Sequence, residues 1–135
     1  MFRIQGLLHS SFLVSDLVTA RDFYESVLGL SPSPARPAMD FEGVWYELGE
    51  QQIHLMALPN PDSAAGRPEH GGRDRHAAFA VTDLADLQAR LQARNIPFTL
   101  SRSGRQALFC RDPDGNALEF VQMREHPQEK ASLHE

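Results

Sequence analysis

His9-Ser10-Ser11-Phe12-Leu13-Val14-Ser15-Asp16-Leu17 recurs 67 positions later as His76-Ala77-Ala78-Phe79-Ala80-Val81-Thr82-Asp83-Leu84. His, Phe, Val, a hydroxyl residue, Asp and Leu return in register without a gap. A repeat within 135 residues implies two copies of one supersecondary unit, each headed by a histidine. Residues 7–14 predict a strand. Side-chain alternation turns Leu8, Phe12 and Val14 to one face and His9, Ser11 and Leu13 to the other. Asp16 is placed to cap a helix whose apolar positions, Leu17, Ala20, Phe23, Tyr24, Val27 and Leu28, follow helical spacing up to a stop at Gly29.

Three shorter strands are expected next, the clearest at 44–48 and 52–57 on either side of a Gly49-Glu50 turn. The first module, about 4–58, therefore reads β-α-β-β-β. The second, about 75–123, repeats the order. It has a strand at 75–81, a helix at 83–94 with Leu84, Leu87 and Leu91 inward, and strands near Phe98, at 106–110 and at 117–123. Asp112-Pro113-Asp114-Gly115 makes the last tight turn. The expected class is α+β, with two βαβββ modules in a single domain over 1–124. Residues 59–74, rich in Pro and Gly, read as a surface connection, and 125–135 as a polar tail.

Composition narrows the function classes. Thirteen basic against 18 acidic residues give a net charge of −5, which argues against a nucleic-acid partner. No apolar run approaches the length of a membrane span, and the first residues lack the apolar core of a secretory leader. Cys110 is the single cysteine, so no intrachain disulfide forms, and a cytoplasmic location is expected. It reads as a buried strand residue and not as a nucleophile.

Ile53-His54-Leu55 and Leu118-Glu119-Phe120 hold the same place in the two copies, inside each final strand. Bulky neighbours on either side send His9, His54, His76 and Glu119 to the face away from the helices. Ser11, Ala78 and Ala80 leave room beside them. Three imidazoles and one carboxylate suit a borderline divalent ion such as Fe, Mn, Co, Ni or Zn. His9, His76 and Glu119 alone would make a two-His-one-carboxylate face with open positions, the mark of a catalytic metal. His54 is then either a fourth ligand or a group behind the ligands. Ser101-Arg102-Ser103-Gly104-Arg105 reads as a solvated turn or as an anion-holding loop. His70, Arg73 and Arg75 read as solvated surface groups. Of Trp45 and Tyr46, one should pack the core and the other wall the cleft.

Leu8-His9-Ser-Ser-Phe-Leu-Val, Asp22-Phe23-Tyr24 with Val27-Leu28-Gly29-Leu30, and Asp112-Pro-Asp-Gly115-Asn-Ala-Leu-Glu119 resemble the vicinal oxygen chelate superfamily. That superfamily includes glyoxalase I, fosfomycin-resistance thiol transferases, extradiol dioxygenases and bleomycin-resistance proteins. The resemblance implies paired modules forming a cupped mixed sheet around a divalent metal, often in a homodimer whose sites draw on both chains. It places His9 and His76 at the metal histidines and Glu119 at the C-terminal carboxylate. His54 stands where glyoxalase I has a glutamate, so the metal centre would keep more positive charge. Leu13 stands where glyoxalase I has an arginine for glutathione, which argues against that thiol. Ser11 matches a hydroxyl of the fosfomycin transferases, whereas Phe109 replaces their tyrosine. The reading is a divalent-metal-dependent enzyme of glyoxalase or dioxygenase type, with lyase or isomerase chemistry in front. Glu119 and His54 are the catalytic candidates, Ser11 and Arg105 the substrate contacts, and the partners are a small-molecule substrate and a thiol co-substrate. Thiol transfer and extradiol dioxygenation are the enzymatic alternatives, and a drug- or metabolite-sequestering protein is the non-enzymatic one.

Overall fold

The computed structural model describes residues 1–123. The polar tail, with His126 and His134, lies outside the described residues. Strand β1 (His9–Leu13) leads into helix α1 (Leu17–Arg21), which continues as a π-helical stretch, Asp22–Val27. Strands β2 (Gly43–Leu48) and β3 (Gln51–Met56) complete the first module. The second runs β4 (His76–Val81), α2 (Leu84–Ala93), β5 (Phe98–Leu100), β6 (Ala107–Arg111) and β7 (Ala117–Gln122). Each module makes its own mixed sheet, ordered β1-β3-β2 and β4-β7-β6-β5. In both, the first strand lies parallel to the last while the strand before the last runs antiparallel to it. The parallel pairing needs a crossover, and the crossover carries the helix.

The helices start where the aspartates put them. Asp16 accepts from the Val18 amide at 3.0 Å and Asp83 from the Asp86 amide at 3.1 Å. Gly29, at φ 77°, ends the first helix in the left-handed region, with the Leu30 amide bonded back to the Tyr24 carbonyl. Tyr24, Tyr46, Leu55 and Val14 are fully buried around that helix. Leu84, Leu87 and Leu91 are buried on α2, which packs on β7, while Leu108 and Leu118 are fully buried in the same unit.

Two expectations are corrected. The first of the three short strands in module one is reduced to a single bridge, Pro32 to Tyr46. Pro32, Pro34 and Pro37 offer no amide hydrogens, so a ladder cannot extend there. Strand β1 begins at His9, and Leu8 is 76% exposed instead of facing the helix. The chain divides into two compact packing units. One unit is Met1–Gly66 together with Asp112–Asn116, and the other, among the described residues, is Arg67–Arg111 with residues 117–123.

The Asp112–Asn116 turn belongs to the first unit through a buried carboxylate. Asp112 accepts from Tyr24 Oη at 2.8 Å, from Asn116 Nδ2 at 2.8 Å and from the amides of Asp114 and Asn116 at 2.9 Å. Burial holds its pKa above the usual carboxylate range despite these donors.

Candidate functional site

In the first unit the register decides which side chains meet. Ser11 lies opposite His54, Trp45 lies opposite His54 from the other side, and His9 lies opposite Gln52. All five share one face of the sheet because paired and i±2 residues point the same way. Their rings form a three-layer stack. Trp45 lies on His54 with centroids 4.0 Å apart and planes 1° apart, and His54 lies on His9 at 4.0 Å and 15°.

Hydrogen bonding fixes the His54 tautomer. Gln52 Nε2 donates to Glu47 Oε1 at 2.9 Å, so the Gln52 amide oxygen is the atom 2.7 Å from His54 Nε2. An amide oxygen only accepts, hence Nε2 carries the hydrogen and Nδ1 carries the lone pair. Ser33 Oγ also donates to Glu47, at 2.8 Å. His54 is buried, and its pKa is held below the ordinary value, first by burial and then by the charges of His9 and Arg36, with Glu47 opposing. Beside the stack opens a cavity of about 600 Å³ walled by Trp45, Phe41, Met39, Arg36 and Leu8.

The second unit repeats the pattern with different chemistry. Glu119 lies between Ala78 and Phe109, as His54 lies between Ser11 and Trp45. Glu119 is 4% exposed. His76 Nδ1 is 2.8 Å from the Asp74 carbonyl oxygen and therefore donates to it. His76 Nε2 then faces Glu119 Oε1 at 3.2 Å, and Glu119 Oε2 accepts from Arg105 Nη2.

Asp74 holds the backbone that holds His76. Its carboxylate accepts from Arg67 at 2.9 Å, Arg111 at 2.8 Å and the Arg75 amide at 2.8 Å. The Arg111 hydrogen bond keeps its pKa below the usual carboxylate range. His70 is not a freely solvated loop residue. Its Nδ1 accepts from the Gly72 amide at 3.0 Å, and its ring packs on Phe109 at 4.8 Å. Glu119, His76, Arg105 and His70 line a cavity of about 740 Å³ with Ser101 and Ser103.

The expected site residues thus come together as two groups, His9 with His54 and Ser11, and His76 with Glu119 and Arg105. Among the described residues no three His, Cys, Asp or Glu side chains form a ready metal cluster. Trp45 walls the first cavity while Tyr46 is fully buried, and Cys110 is a buried strand residue. Gln52 and Asp74, which each hold a histidine nitrogen, and Glu47, which holds Gln52, had no motif to mark them.

The chain matches the sequence model of the Glyoxalase/Bleomycin resistance protein/Dioxygenase superfamily over residues 6–120. It is 30% identical to YaeR of Escherichia coli (strain K12), covering 90% of this chain and 99% of that protein. It is 27% identical to Glyoxylase I 4 of Arabidopsis thaliana, covering 87% of this chain and 70% of that protein. A crystal structure of a protein assigned to the glyoxalase family from Bacillus anthracis is 25% identical, with a TM-score of 0.74, covering 92% of this chain and 99% of that one. Matching half-sheets, a histidine at the head of each copy and a family model spanning most of the sequence agree: this chain belongs to the Glyoxalase/Bleomycin resistance protein/Dioxygenase superfamily.

Proposed function

We propose that this protein is a divalent-metal-dependent enzyme of the glyoxalase type, with His9, His54, His76 and Glu119 as the metal ligands. The observation that carries this reading is His76 Nε2 facing Glu119 Oε1 at 3.2 Å. Nδ1–H is committed to the Asp74 carbonyl, so Nε2 is the ring atom turned toward the carboxylate. An imidazole nitrogen beside a carboxylate oxygen is a donor pair that suits a borderline divalent ion. The donor set therefore fits such a metal. His54 adds an Nδ1 lone pair, with Nε2–H already anchored on Gln52.

The substrate is a small molecule presenting two adjacent oxygens, or one oxyanion, and the reaction is a glyoxalase-I-like lyase or isomerase step with a thiol adduct. When bound, the metal supplies Lewis acidity toward the carbonyl and enolate oxygens. The chain's own part is to move the proton next to the carbonyl, at the Glu119 oxygen not on the metal or, when His54 is off the metal, at its Nδ1. His54 suits that role because burial keeps it neutral, and the Trp45 stack holds its ring plane. Isomerisation of a hemithioacetal in the presence of Ni, Co, Mn or Zn tests this. Turnover abolished by a chelator is expected, and no turnover with any metal or thiol would remove the proposal. A homodimer, with the His9–His54 pair of one chain serving the His76–Glu119 pair of its partner, is the assembly we propose. A stable monomer with full metal affinity in sedimentation would overturn it.

One observation favours a second reading. The 600 Å³ cavity of the first unit has an aromatic floor and apolar walls, with Arg36, Glu47 and Glu50 as its charged lining, which suits a flat, largely apolar ligand carrying a few polar groups. A solved antibiotic-binding protein, TnmS3 of Streptomyces sp. CB03234, shares the fold at 19% identity and a TM-score of 0.69, so the fold alone accommodates sequestration. Calorimetric titration of an aromatic ligand before and after chelation separates the two readings, since unchanged affinity supports a binding protein.

A further inference from the structure

Among the described residues, Arg105 is the arginine that pairs with the buried Glu119 carboxylate of the second unit. Its Nη2 donates to Glu119 Oε2, yet its side chain is 58% exposed while that of Glu119 is 5% exposed. A half-solvated guanidinium on the loop between β5 and β6 therefore neutralises a carboxylate that is itself buried. That loop turns at Gly104, φ 85°, and the hydroxyls of Ser101 and Ser103 lie 2.8 Å apart on it. Arg73 and Arg102 line the same cavity, whose acids are Glu69 and Glu119. Once Glu119 is engaged by another cation, the cavity is strongly cationic, in a protein whose net charge is −5.

We propose that Arg105 is a displaceable counter-ion: it pairs with Glu119 until a divalent metal takes that carboxylate, and it is then released to hold an oxyanionic group of the substrate beside Ser101 and Ser103. This rests on the reading of Glu119 as a metal ligand. Arginine and metal compete for one negative charge, so whatever the pair costs metal binding, metal binding costs the pair in return. An exposed side chain on a loop moves without opening the core. The substrate group is a carboxylate or a phosphate-like oxyanion, both of which a guanidinium recognises through paired N–H donors.

The test is calorimetric titration of the full chain with Zn and Ni at one pH, for wild type, Arg105→Ala, Arg105→Gln and Arg102→Ala. Thermal unfolding confirms that each variant is folded. Removing Arg105 should tighten metal binding roughly tenfold, because the carboxylate no longer has to be released. Arg102→Ala, which deletes the same charge from the same cavity, should change it by about twofold or less. In a second arm, inorganic phosphate and acetate are titrated into metal-free and metal-loaded protein. The gain on metal loading should be larger in wild type than in Arg105→Ala, and the anion that shows the difference identifies the substrate group. Metal affinity unchanged or weakened in both Arg105 variants, with wild type binding metal, overturns the counter-ion role and leaves the metal site standing. Failure of every variant to bind metal removes both readings. Metal binding by the Arg105 variants alone supports competition directly, and no Arg105-dependent gain with either anion overturns the substrate role.

Discussion

At the scale of single residues, the proposed chemistry turns on which atom of each histidine carries the hydrogen. His54 binds a proton less readily in the folded chain than at its ordinary value of 6.5. Its contribution to stability is therefore complete above that value and is lost as pH falls through the lower folded value. His54→Phe keeps a ring on Trp45 and removes the proton. With chelator present, we expect wild type to lose more melting temperature than this variant on going from about pH 7.5 to about pH 5.5. Asp74→Ala leaves Arg67 and Arg111 without their shared carboxylate and loosens the carbonyl that anchors His76. A loss of about 2 kcal/mol in urea unfolding is expected, together with weaker metal binding. The repeat in the sequence marks His9, His54, His76 and Glu119 as the candidates. It could not supply their tautomers, since those depend on Gln52, Asp74 and other acceptors that no pattern marks.

At the scale of elements, two positions test how the sheet is built. Gly43 starts β2 where an added Cβ would sit 2.4 Å from the Leu55 carbonyl oxygen and 3.0 Å from Arg36. Gly43→Ala must therefore push β2 off β3, and we expect a loss of about 2 kcal/mol by chemical denaturation. Asp16→Ala removes the cap of the first helix and should cost about 1 kcal/mol in the same measurement. The hairpin itself was legible. A two-residue turn at Gly49-Glu50 sets Leu48 opposite Gln51, and counting back sets Trp45 opposite His54. The ring stack on that pair follows from the register, so it was within reach of the sequence. The strand expected before β2 fails at Pro32, Pro34 and Pro37, whose missing amide hydrogens the strand count did not weigh. The π-helical turn was not legible, because one widened turn shifts the apolar spacing by less than a full residue; the Leu28 amide bonding back to the Phe23 carbonyl marks it.

At the scale of the whole molecule, metal loading is the property to measure. Elemental analysis should find metal in wild type and much less in Glu119→Ala. Saturating metal at about a hundred times its dissociation constant should stabilise wild type by about 2.7 kcal/mol and leave that variant nearly unmoved in thermal melts. Among the described residues no helix is long and apolar enough to cross a membrane, which agrees with the composition. The sequence by itself determined the duplicated β-α-β plan, the inward leucines of α2 and the sheet face that carries the histidines and Glu119. These follow from local periodicity and from a repeat that needs no knowledge of distant contacts. The tertiary structure alone decided that Asp112–Asn116 packs with the first unit, that Asp74 anchors His76 and that Arg105 neutralises Glu119. Each depends on a loop path or a strand register joining groups far apart in the chain, and chain spacing alone does not encode the donor that a buried oxygen will meet.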